Sequence, residues 1–167
     1  VPYVLQTRYD GASWLAGLAL TAGALGWAGA SQVQARLGAR LSHTDALQAG
    51  SLLLAGALVG QLVVVALALP ALVVPVVWVA AGAGMGLMYP RISSYVLSAS
   101  GPEERGHLTA AMSVSDAVGG ATAIALSGLV FATLGIETQT GFTGVFLLTA
   151  ALAGLAVLVA RRTPSAG

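Results

Sequence analysis

Apolar residues run along the 167-residue chain in blocks that are too long for strands. A helix that crosses a bilayer needs about 20 mostly apolar residues. Five segments meet that need: residues 13–30, 46–69, 76–97, 108–134 and 142–160. The polar stretch SQVQARLGARLSHTD follows the first, and SASGPEERGH separates the third from the fourth. No charge occurs between Asp45 and Arg91, about twice the length one crossing uses, so this run must fold back on itself. Pro70 and Pro75 mark the turn, since proline lacks an amide hydrogen and disfavours helix in the residue before it. Ser13 is a natural N-cap for the first helix. The pattern predicts an all-α integral membrane protein, a single domain of five transmembrane helices. A partial helix over residues 1–10 precedes them and a tail over 161–167 follows. The opening VPYVLQTRYD has no basic leader and no small-residue cleavage site, and is expected to be the remnant of a preceding helix rather than a signal peptide.

Composition narrows the function. The chain is 57% hydrophobic and 8% charged, against about 25% charged in an ordinary soluble domain. Twenty-two glycines against three phenylalanines point to helices that associate by close backbone approach. Without cysteine there is no disulfide, thiol catalysis or thiolate metal site. The net charge of +1 has no basic block behind it, which argues against nucleic acid as a partner. All seven positive charges are arginine. If the loop after the first span is cytoplasmic, alternate crossings place Arg36, Arg40, Arg105, Arg161 and Arg162 on that side. Arg8 is left opposite and Arg91 inside a span. The positive-inside rule then orients the chain in the inner (plasma) membrane with a cytoplasmic C-terminus.

Two intramembrane positions stand out. In the third span Gly84, Met88, Arg91 and Tyr95 recur at helical spacing and share one face. Pro90 frees the carbonyl of Gly86 and, with the neighbouring glycines, allows a bend that could line a cavity. In the fourth span Thr109, Ser113, Asp116, Gly120, Ala123 and Ser127 form a small-and-polar stripe. Arg91 and Asp116 lie at depths of about 10 and 14 Å from the connecting loop, which would let them pair and lower the cost of burying either. Protonation or substrate binding would then break the pair. The alternatives are that Arg91 snorkels to the headgroups and that Asp116 is a structural acid. Trp14, Trp27 and Trp78 sit near predicted span ends, where tryptophan usually anchors to the interface. Met85, Met88 and Met112 either pack the core or line an adaptable pocket.

Two passages carry a resemblance. VPYVLQTRYDGASWLAGLALTAGALGWAGASQVQARLGAR is similar to the end of the seventh helix, the eighth helix and the following loop of major facilitator superfamily transporters, particularly multidrug exporters. AGAGMGLMYPRISSYVLSASGPEERGHLTAAMSVSDAVGGATAIALSGLVF resembles their tenth and eleventh helices. Arg36-Leu37-Gly38-Ala39-Arg40 fits the R-x-G-x-R end of the family's loop motif, although Ala35 stands where that motif has an acid. The resemblance covers half of the family's fold. It implies proton-coupled efflux of small organic or drug-like molecules across the bilayer, by a half that works with a separate N-terminal half or a second copy. Arg91, Asp116, Gly84, Met88, Tyr95, Met112 and Ser113 are the candidate substrate or proton pathway, and Arg36, Gly38 and Arg40 the loop motif. No cofactor or metal is expected. A non-transporting membrane scaffold or an inactive remnant is the alternative. An intramembrane protease is disfavoured, because Ala125-Leu126-Ser127-Gly128 lacks the first glycine of a G-x-S-G motif and neither His43 nor His107 falls within a span.

Overall fold

In the computed structural model, which describes residues 5, 13–98, 101, 103–136 and 138–162, the chain is helical with no strand among the described residues. The α-helices are α1 (Ser13–Leu37), α2 (His43–Ala66), α3 (Val73–Ser98), α4 (Arg105–Leu134) and α5 (Gln139–Arg162). A 3-10 turn, Gly38–Arg40, links α1 to α2. Helices α2 to α5 are long and apolar enough to cross a membrane. The first expected span is the exception: α1 is long enough, but its apolar positions are largely Ala and Gly and its hydropathy falls short of the others. The expected remnant helix over residues 1–10 lies outside the described residues apart from Leu5, which is buried against Leu15, Ala16, Ala19, Val64 and Val74. The tail beyond Arg162 also lies outside them.

Helix ends follow local chemistry rather than the edges of the apolar runs. Ser42 caps α2: its hydroxyl accepts from the Asp45 amide at 3.0 Å and donates to the Asp45 carboxylate at 2.7 Å. This satisfies one of the orphan amides of the first turn and starts the helix three residues before the apolar run. Between α2 and α3 the chain reverses through Ala68, at φ +49, and Pro70. Pro75 falls in the first turn of α3, where a missing amide hydrogen removes no helical bond. The buried Gln61 of α2 donates to the Val74 carbonyl at 2.9 Å, tying the two helices together beside this turn.

Helix α3 is central, packed between α1 and α2, while α2 also packs on α5, and α4 rests on α5 with only a light contact to α3. Lipid-embedded helices gain little from the hydrophobic effect between them, so close approach must hold them. The glycines at 82, 84 and 86 supply it. A Cβ on Gly82 would land on the Gly23 carbonyl of α1, and one on Gly86 on the Trp27 carbonyl. Gly84 faces the other way, where a Cβ would lie 2.6 Å from the Gly50 carbonyl of α2. A four-residue step keeps 82 and 86 on one face, and the two-residue step puts 84 on the opposite one.

Pro90 sits inside α3 without ending it. Its missing N–H leaves the Gly86 carbonyl without an intrahelical donor. The Ser31 hydroxyl of α1 donates to that carbonyl at 3.2 Å. The surface left over is apolar: Val76, Ile124, Val159 and Trp14 are each more than 60% exposed, as suits helices that face lipid rather than water.

Candidate functional site

The face of α3 that carries Gly84, Met88, Arg91 and Tyr95 is a packing face, not the wall of a cavity. Gly84 meets α2 at Gly50 and Leu54, and Met88 covers Gly50. Tyr95 sets its ring edge-on to His43 at 5.6 Å. Arg91 is 9% exposed and donates from Nη2 to the Gly38 carbonyl at 2.7 Å, while its Nε is buried without a hydrogen bond. The expected pairing of Arg91 with Asp116 is therefore corrected. The arginine turns to the end of α1, where the last carbonyls of the helix form the negative pole of its dipole. Its side chain runs toward the end of the bundle, to the turn that links α1 to α2.

Gly38 allows this arrangement. Its φ of +50 is a conformation that only glycine adopts readily, and it aims the carbonyl back at α3. Arg36 and Arg40 of the same motif are exposed. So Gly38 makes a tight turn, and the turn's carbonyl holds Arg91.

Along α4 the small-and-polar stripe is mostly self-contained. Thr109, Ser113 and Ser127 each donate to the carbonyl four residues earlier, to Arg105, Thr109 and Ala123 respectively. Hydroxyls bonded in this way need no partner from another helix. Met112 is half-buried, and Ser113 is exposed. Asp116 differs. An ionised carboxylate has no donor in its own helix, and its Oδ2 accepts from the Tyr89 hydroxyl of α3 at 2.5 Å.

Tyr89 is the residue the sequence did not single out. It lies two positions from Arg91 and so on the other side of α3, away from the face the periodicity picked. Its ring also packs on Trp27 of α1, with centroids 5.8 Å apart and planes tilted by 51°. Three helices thus converge at Trp27, Tyr89 and Asp116. The signal in the sequence was a phenol in a span, whose hydroxyl needs a partner, together with an acid in the next span that needs a donor.

Beside this cluster lies an open groove of about 450 Å³ between α1 and α3, walled by Leu20, Trp27, Leu54, Trp78 and Met85, with Gly23 at its floor. Of the three tryptophans expected as interfacial anchors, Trp14 is 65% exposed, whereas Trp27 and Trp78 line this groove. Met85 also lines it, while Met88 belongs to the packing against α2. The arrangement is an apolar, aromatic-walled groove with one ionisable pair close by, and Trp27 belongs to both. Comparison with protein-family models, with curated proteins and with solved structures finds no match for the chain.

Proposed function

We propose that the chain is one half of a secondary active transporter of the major facilitator type, which exports small organic molecules in exchange for protons. The observation that carries this reading is Asp116: an ionisable acid inside a long apolar helix, hydrogen-bonded to Tyr89 and beside a groove walled by tryptophan and methionine. Acids at membrane depth are costly and belong to ion and proton pathways, and concave, mostly apolar sites with a few placed polar groups take small ligands. Helix α4 supports the reading too. It has no buried residue, and the exposed face around Asp116 calls for a covering partner, either a separate N-terminal half or a second copy. In this reading the arginine-rich end is cytoplasmic. Trp27, Trp78 and Met85 contact the substrate's apolar body, and Asp116 carries the proton.

The test is dye efflux driven by an imposed proton gradient, measured in dye-loaded right-side-out membrane vesicles from cells overproducing the protein. Efflux above that of vesicles without it is expected, with a loss of at least tenfold in Asp116→Asn. Efflux no higher than in control vesicles overturns the proposal, and a fully active Asp116→Asn removes Asp116 as the proton carrier.

A further inference from the structure

Apart from Asp116 and Arg91, which lie inside their helices, every charged side chain among the described residues is at one end of the bundle. Helix α1 ends there, α2 begins, α3 ends, α4 begins and α5 ends. The contacts agree: Arg91 of α3 reaches Gly38, and Tyr95 of α3 meets His43 of α2. The opposite end carries no charge among the described residues.

Two arginine doublets stand at the charged end. Arg36 lies in the last turn of α1, and Arg40 follows it across the Gly38 turn. Arg161 and Arg162 close α5. All four are exposed. None donates to a helix carbonyl as Arg91 does, and none forms an ion pair within the described chain. The acids at this end are placed elsewhere: Asp45 is held by Ser42 in the cap of α2, and Glu103 and Glu104 directly precede Arg105 at the start of α4.

Each arginine of the doublets has an exposed aliphatic residue three positions before it. Val33 precedes Arg36, Leu37 precedes Arg40, Leu158 precedes Arg161 and Val159 precedes Arg162, and these four are between 40% and 65% exposed. Residues three apart are neighbours on a helix surface, so every guanidinium stands just beyond a bare apolar patch. Such patches on this bundle suit acyl chains. Helices α1 and α5, of 25 and 24 residues, are each roughly 36 Å long, whereas a hydrocarbon core is about 30 Å thick. Their last turns therefore reach the headgroup layer, where the anion at hand is phosphate. The guanidinium fork matches it, donating two parallel N–H bonds to phosphate oxygens.

We infer that the two doublets are binding sites for the phosphate of anionic phospholipids in the leaflet on that side, with the aliphatic residue before each arginine laid against the acyl chains. A zwitterionic headgroup carries its own cation, so the sites prefer a lipid such as phosphatidylglycerol. Helix α1 packs on α3, and α5 on α2 and α4, so the doublets stand on different flanks and hold separate lipids. Attraction of arginine to an anionic surface makes the expected preference about fivefold or more at each doublet. The sites are independent of transport, so absent efflux would leave them untouched.

The test is native mass spectrometry of the full chain released from nanodiscs of equal phosphatidylglycerol and phosphatidylcholine, comparing the copies that retain either lipid. Phosphatidylglycerol should be retained about fivefold or more over phosphatidylcholine. Arg36→Gln with Arg40→Gln, or Arg161→Gln with Arg162→Gln, should each remove one of the two lipids, and all four together should bring the ratio to about one. Lysine at the four positions should restore most of the preference, because it keeps the charge. Circular dichroism checks that the variants keep their helices. A role confined to the negative poles of α1 and α5 would also favour arginine there, but it would not tell one headgroup from another. A wild-type ratio near one, an unchanged ratio in the glutamine quadruple variant, or a lysine variant no better than the glutamine one overturns the inference. Inorganic phosphate at matched ionic strength should leave the retained lipid in place. Its displacement would assign the doublets to the free ion and overturn the inference equally.

Discussion

Ser31→Ala deletes one oxygen, and its effect should depend on a proline 59 positions away. The Ser31 hydroxyl is the donor for a Gly86 carbonyl whose intrahelical donor would have been the N–H of residue 90. Side-chain hydrogen bonds within membranes average only about 0.6 kcal/mol, with a maximum near 1.7. The low average arises because the groups usually find another partner. Here Pro90 removes the natural one, so the loss should fall at the upper end, about 1.5 kcal/mol or roughly tenfold in the folding equilibrium. In a Pro90→Ala background, the Ala N–H restores the helical bond to Gly86 and the Ser31 hydroxyl becomes dispensable. Ser31→Ala should then cost about 0.3 kcal/mol or less, giving a coupling of about 1 kcal/mol. The four proteins of this cycle can be compared by reversible unfolding in mixed micelles of rising dodecyl sulfate content, followed by tryptophan fluorescence and far-ultraviolet circular dichroism. Equal losses in the two backgrounds, within about 0.3 kcal/mol, would refute the claim that the serine substitutes for the missing amide.

The remaining predictions use the same unfolding assay. Gly82→Ala should destabilise the protein by about 1–3 kcal/mol, because its methyl lands on the Gly23 carbonyl and forces α1 from α3. Gly17→Ala, with nothing within 4 Å of its Cβ, should be neutral or stabilise by up to about 1 kcal/mol. Arg91→Asp should be strongly destabilising and should not be rescued by Asp116→Arg, since Arg91 bonds Gly38 and Asp116 bonds Tyr89. Recovery of stability in the double reversal would show that the two charges meet.

Much of the fold could be read from apolar run length. The expected spans 46–69, 76–97, 108–134 and 142–160 fall on α2, α3, α4 and α5 with ends shifted by a few residues. The shifts have local causes: Ser42 starts α2 ahead of the apolar run, and α1 stays helical through the polar SQVQARL, because a helix stops where its hydrogen bonding stops and not where its apolarity does. The freed Gly86 carbonyl was foreseeable from Pro90 alone, although its acceptance of Ser31 was not, since that depends on the register between two helices 55 residues apart in sequence. The candidate site was legible only in part. Periodicity grouped Gly84, Met88, Arg91 and Tyr95 correctly as one face, but it says which residues share a face and nothing of what lies opposite. That face meets α2. Asp116 was found because an acid in a span is conspicuous, while Tyr89 escaped because a single tyrosine among apolar residues is ordinary until its neighbour is known.

The alternation of Gly82, Gly84 and Gly86 bears on how the gene can vary. Every missense change of a glycine codon adds at least one carbon, and at these three codons the added atom meets the backbone of a neighbouring helix. Two of them guard α1 and the one between guards α2. Each single change in this stretch therefore has to displace α1 or α2 to make room for the added atom. Substitution is expected to be costly there, while at Gly17, Gly29 and Gly56 an added Cβ would meet nothing within 4 Å.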